Sequence, residues 1–213
     1  MKKIYMLAFV FTLFASLSFA QQIPVTSLTS TQIPKEIKYK GKLNVALTWK
    51  DSMGNHILIT SETGYFIDKN VEHIEEGRDA ALYADHYILE NNKPKLIWRA
   101  YDFQNDCPFD INMDFIPKTT LITDLNKDGI VEIWLMYKKG CRSDVSPVEM
   151  KIIMYNGQKK FAMRGQNKVQ VSATEFSGGE NVLDKSFTAG PKEFRAFAQK
   201  LWKENLIDRF SKP

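Results

Sequence analysis

From Leu43 onward, apolar and polar positions alternate with a period of two. Leu43, Val45, Leu47 and Trp49 fall on one side, and Asn44, Ala46, Thr48 and Lys50 on the other. That pattern predicts a strand with one buried face. The polar stretch 51–55, with a glycine inside, can turn the chain so that 56–60 returns as its partner. Three more hairpins follow: 81–90 with 95–103, 119–123 with 130–137, and 148–155 with 159–163. The last is joined through Asn156-Gly157, a pair suited to tight hairpin turns. Ile130, Trp134 and Met136 share one face with Glu132, while Val131, Ile133, Leu135 and Tyr137 share the other. A strand apolar on both faces is expected at the centre of a sheet, covered on each side. The period then changes after Pro191. Phe194, Phe197, Ala198, Leu201, Trp202, Leu206 and Phe210 recur at three- and four-residue steps, which predicts an amphipathic helix over 191–210, packed on the sheet. The stretch 165–190 reads as loop with one strand near 168–173. The expected class is mainly β, with α+β as the alternative: antiparallel hairpins forming a twisted sheet or sandwich, with one C-terminal helix. Eight or nine strands are too few for a propeller.

The N-terminus has a different character. Met1-Lys2-Lys3 precedes an apolar run from Ile4 to Phe14, and Ser18-Phe19-Ala20 places small residues at a cleavage site. This is the form of a secretory signal peptide over 1–20. The run is shorter than the roughly 20 residues a membrane span needs. Residues 21–38, rich in Gln, Thr, Ser and Pro, read as a flexible leader. Residues 39–213 are then a single β-rich domain. The expected location is outside the cytoplasm, in the periplasm or the medium, with no stable membrane span after signal cleavage.

Composition excludes some classes. Of 213 residues, 44% are hydrophobic and 25% charged, the balance of a folded domain. The formal net charge of +4 falls to +2 once Lys2 and Lys3 leave with the signal, too little for a nucleic-acid partner.

The strongest chemical motif is Asp124-Leu125-Asn126-Lys127-Asp128-Gly129-Ile130-Val131-Glu132. Calcium takes six to eight oxygen ligands. Alternate side chains Asp124, Asn126 and Asp128 can converge on one point, Gly129 permits a sharp turn that aims the Ile130 carbonyl inward, and Glu132 can add a ligand directly or through water. An EF-hand would need a helix on each side and a glutamate at loop position 12, where this chain has Leu135. The loop resembles those of FG-GAP and VCBS-type repeats, which sit between strands of exported β proteins; the resemblance implies structural calcium and no activity. A plain hairpin through Asp128-Gly129 is the alternative. Upstream, Asp102, Asp106, Asp110 and Asp114 recur every four residues. Pro108 and the β-rich surroundings argue against a helix there, so the stretch reads as a solvated loop, with a second cation site or a sugar-hydroxyl patch as alternatives.

Cys107 and Cys141 are the two cysteines, and an exported chain with two usually joins them. The bridge would close about 35 residues, worth roughly 3 to 4 kcal/mol in a chain-entropy account. Just beyond it, Arg142, Ser143 and Asp144 form a polar cluster suited to a partner. Signatures of serine hydrolases, zinc proteases and phosphate-binding loops are absent from the sequence. His56, His73 and His86 lie on different predicted elements and read as ordinary residues. Trp98 and Tyr101 should face opposite sides of their strand.

The run 121–165 joins the oxygen loop to Cys141-Arg142-Ser143-Asp144-Val145-Ser146-Pro147, then to Lys151-Ile152-Ile153-Met154-Tyr155 and Lys160-Phe161-Ala162-Met163-Arg164-Gly165. It resembles a family of exported bacterial proteins, typical of the Bacteroidetes, named for surface polysaccharide biosynthesis. The resemblance implies an envelope-polysaccharide context and supplies no catalytic residues. The expectation from sequence is therefore a non-enzymatic, calcium- and disulfide-stabilised domain that binds cell-surface glycan or envelope assembly proteins. The alternative is a polysaccharide hydrolase whose paired carboxylates come from Asp102, Asp106, Asp110, Asp144 and Glu175.

Overall fold

In the computed structural model, residues 23–74 and 76–208 are described. The predicted signal peptide lies outside them, as does Phe210. The chain is mainly β, with 52% of it in strands and 10% helical. Among the described residues, no helix is long and apolar enough to cross a membrane.

The first sheet is an antiparallel meander of β1 (Thr26–Ser27), β2 (Lys42–Asp51), β3 (Gly54–Glu62), β4 (Arg78–Glu90) and β5 (Lys93–Cys107), in that order. Its β2–β3 and β4–β5 turns are tight. Asn91 and Asn92 join β4 to β5 with φ of 51° and 62°, the left-handed geometry that a two-residue hairpin loop needs and asparagine tolerates. The second sheet runs β13 (Asn181–Leu183), β10 (Lys159–Gln166), β9 (Glu149–Asn156), β8 (Glu132–Arg142) and β6 (Asp110–Phe115), with β7 (Leu121–Thr123) also on β8. The β9–β10 strands close at Asn156 opposite Lys159. The central turn residues are thus Gly157, at φ 59°, and Gln158, one step beyond the expected pair. A small third sheet orders β12 (Phe176–Gly178), β11 (Lys168–Gln170) and β14 (Ile207–Asp208).

The two large sheets pack face to face. Leu47, Trp49, Leu58, Leu82 and Ala84 of the first meet Ile111, Met113, Phe115, Ile133, Leu135 and Ile153 of the second in one buried cluster. The opposite face of the second sheet carries Trp134, Met136, Met150, Ile152, Met154, Phe161 and Met163, which pack against α1 (Lys185–Ala189) and α2 (Lys192–Asn205) through Phe187, Phe194, Ala198, Leu201 and Trp202. Strand β8 feeds both clusters, as its doubly apolar pattern predicts.

Four expectations are corrected. The leader is not loose over its described part: β1 pairs with β2, and Ile33 and Ile37 are buried on the outer face of the first sheet against Ala46, Ile57, Ile59 and Tyr87. The predicted helix over 191–210 is shorter. Pro191 precedes it as the cap, it ends at Asn205, and 207–208 form β14 beside β11. There the Lys168 N–H donates to the Leu206 carbonyl and the Asn205 side chain to the Leu201 carbonyl, so the last helical carbonyls find other donors. The acidic stretch is not a loop but the end of β5 and the strand β6. Within 165–190, the structure adds β12, β13 and α1 to the expected strand; Asp184 caps α1 by accepting the Phe187 N–H.

Candidate functional site

The oxygen loop sits where the two large sheets meet. It is a chain of Asx turns. Asp124 accepts the N–H groups of Asp128 and Gly129 at 3.1 and 3.2 Å, and Asp128 accepts that of Ile130 at 2.8 Å. Asn126 donates its amide to Asp128 Oδ2 at 2.7 Å. Lys127 and Gly129 take left-handed φ of 59° and 78°, which curls the backbone around these oxygens. Glu132 lies beneath, fully buried. Its Oε2 accepts from Thr123 Oγ1 at 2.7 Å and from the Leu125 N–H at 2.9 Å, while its Oε1 has no partner. Burial pushes its carboxyl up to about 7 against those two hydrogen bonds, with the Asp124 and Asp128 charges adding to the rise.

The loop is fastened to both sheets. Ser52, in the β2–β3 turn, donates from Oγ and from its backbone N–H to the Gly129 carbonyl at 2.6 and 3.1 Å. On the other side, Asn156 of β9 donates to the Ile130 carbonyl at 3.1 Å. Among the described residues, no three His, Cys, Asp or Glu side chains stand together to hold a metal. A cation here would rely on the Asp124 and Asp128 carboxylates with the neutral oxygens of Asn126 and Ile130, a mixed set that calcium accepts. The orphaned, buried Glu132 Oε1 fits such a group, because it lacks a positive partner.

At the far end of β8, Cys107 and Cys141 are joined, with Cα atoms 5.7 Å apart. The bridge ties β5 of the first sheet to β8 of the second. Arg142, Ser143 and Asp144 follow it and line an open pocket of about 330 Å³ with Phe109, Pro147 and Glu149. Arg142 is turned inward, donating to the Ser146 carbonyl and pairing with Asp208 at 3.9 Å. Asp144 accepts the Ser146 N–H at 2.8 Å, and bonding from Ser146 holds its carboxyl below the usual range. Two of the three residues therefore shape the loop.

Three constellations escape sequence spacing. Asp102, on the inner face of β5, accepts from Lys151 Nζ at 2.6 Å, Tyr137 Oη at 2.9 Å and Lys139 Nζ at 3.0 Å, all from the second sheet. Burial opposes its charge, yet those bonds hold its carboxyl at about 2. His56 and His86 meet on adjacent strands: Asp51 Oδ1 lies 2.7 Å from His56 Nε2, and His56 Nδ1 lies 2.9 Å from His86 Nε2. Burial, then the neighbouring His56, pushes His86 down to about 3. Trp49 stacks on both imidazoles, Trp98 lies tilted against His86, and Trp98 stacks on Tyr155 with centroids 3.9 Å apart. Finally, His73 Nε2 lies 2.7 Å from Asp79 Oδ2, a contact that raises the His73 pKa. Period-two pairing of β3 with β4 puts His56 opposite Ile88, so no count along the chain brings His56 to His86.

Two of the five carboxylates named for a hydrolase are tied into the fold. Asp102 is held by two lysines and a tyrosine, and Asp106 accepts the Ile74 N–H at 2.9 Å. Trp98 faces the core while Tyr101 faces out, as their spacing predicts. Compared with protein-family models, curated proteins and solved structures, the chain matches none.

Proposed function

We propose that this chain is an exported, non-enzymatic binding or assembly domain of the cell envelope, linked to surface polysaccharide and stiffened by calcium and a disulfide. The observation that carries the reading is the place of the oxygen loop. It is bonded to the β2–β3 turn through Ser52 and to β9 through Asn156, so a cation there would lock one end of the sandwich while Cys107–Cys141 locks another. Asp124, Asn126, Asp128 and the Ile130 carbonyl would hold the ion, with Glu132 below. Calcium would supply fixed positive charge and no chemistry. The Arg142–Asp144 pocket offers a polar surface to a protein partner.

Thermal melting of the mature chain in calcium and in chelator tests this. At a hundredfold excess over Kd, a bound ion adds about 2.7 kcal/mol. For a chain of this size each kcal/mol moves Tm by about 2–4 °C, so a rise of roughly 5–10 °C is expected. Superimposable melts would sink the structural-calcium reading.

A further inference from the structure

We infer that the cleft between β5 and the segment 63–74 is a binding site for a neutral pyranose ring of an uncharged glycan. The inference rests on the glycan-linked part of the proposed function and gives it a place. β5 is the edge strand of the first sheet, and Tyr101 and Phe103 stand on its outer face, 52% and 44% exposed. Their rings lie 5.5 Å apart and within 18° of parallel, stacked on one another, so together they form one aromatic shelf. Tyr83 on β4 extends it, 5.0 Å from Tyr101. The buried leader covers the same face of this sheet at Ile57, Ile59 and Tyr87, but the shelf stays open.

Opposite the shelf stand Phe66 and Val71, 40% and 50% exposed. The enclosed space is about 190 Å³, with Asp68, Gln104 and Asn105 on its rim. Such a volume is below the ~300–1,000 Å³ of sites for larger ligands and suits one ring. The wall is preformed. Asp79 is buried and accepts the N–H groups of Asp68 and Asp106, each at 2.9 Å, while holding His73 at 2.7 Å. Phe66 also exchanges backbone hydrogen bonds with Asp79 at 2.9 and 2.8 Å. A rigid site loses less on binding.

The lining chemistry selects the occupant. A pyranose has an apolar C–H face that packs against aromatic side chains and a rim of hydroxyls, which matches an aromatic cleft lined also by Gln104, Asn105 and Asp68. Of the cations beside the shelf, Lys139 is paired with Asp102 at 3.0 Å and Arg99 with Asp85 at 2.6 Å, while Lys40 lies 5.8 Å over the Tyr83 ring. Asp68 adds negative charge to the rim, so an anionic sugar is disfavoured. The whole cleft is an amphipathic recess, unlike the continuous apolar patch that a protein partner would cover.

The test uses the intact mature chain on immobilised chito-oligosaccharide, β-glucan and α-mannan, with alginate as the anionic arm. Retention on at least one of the three uncharged probes is expected. Tyr101→Ala and Phe103→Ala should each weaken it about tenfold, the loss of one aromatic anchor, and Asn105→Ala should weaken it less. Because these side chains are exposed, the variants should melt with the wild type. Retention that survives both aromatic substitutions would overturn the cleft and leave a glycan-binding envelope protein with its site elsewhere. Retention on alginate alone, or on no probe, would overturn the inference while the calcium melting experiment stands independently.

Discussion

Asp102 shows how one side chain joins two sheets. It stands on β5, and its three donors come from β8 and β9. A carboxyl whose folded value is lowered contributes stability above its unfolded value and loses it on acidification. For Asp102 the contribution is full above pH 3.8 and disappears as pH falls toward about 2. Asp102→Asn leaves Lys139 and Lys151 without their counter-charge. Breaking a buried pair from one side costs about 3 kcal/mol, so the variant should melt roughly 6–12 °C lower at neutral pH, and its acid unfolding between pH 4 and 2 should be shallower than wild type. Equal melting temperatures would remove Asp102 as a tie. Sequence alone hid this role. The four-residue recurrence Asp102, Asp106, Asp110, Asp114 mixes an inward residue of β5 with outward residues of β6, and only pairing between sheets tells them apart. The Asp51–His56–His86 row was hidden for the same reason: its members meet across strands and not along the chain.

At the scale of elements, the four hairpins were legible. Their alternation is regular and, apart from Lys127, their turns carry Gly or Asn where left-handed backbone is required. β8 was legible as a central strand because two apolar faces leave no side for water. The leader was misread because its composition is polar on average, while two isoleucines four residues apart do the packing. Ile33 and Ile37 are 8% and 5% exposed. Ile33→Ala and Ile37→Ala should therefore each cost about 2 kcal/mol, read by urea unfolding. If both leave the midpoint unmoved, the leader is not part of the fold. The helix was legible in position and face, but its end was not. Its apolar period runs on through Leu206, whereas the backbone at 207–208 is claimed by β11, a competition that periodicity cannot register.

Seen whole, the chain is a stack: leader, first sheet, second sheet, helices. The two large sheets are held by apolar packing, by Asp102 and its lysines, by the oxygen loop, and by the one covalent link. The disulfide was legible because two cysteines leave a single pairing. Replacing both with serine should cost roughly 3 to 4 kcal/mol, lowering Tm by about 6–16 °C. A loss this size with unchanged near-ultraviolet dichroism would place the effect in the unfolded chain. An unchanged Tm would show that packing alone fixes the sheets.

The helix-facing side of the second sheet has a further consequence. Met136, Met150, Met154 and Met163 are all at most 1% exposed beneath α1 and α2. Thioethers are oxidised to polar sulfoxides, which do not suit an apolar core. In the exported setting proposed above, where oxidants are plentiful, the two helices would act as a lid on a store of sulfur. Damage would then come in bursts: the first sulfoxide would prop the lid open and admit oxidant to the remaining three, so the protein would age by sudden failure and not by gradual wear.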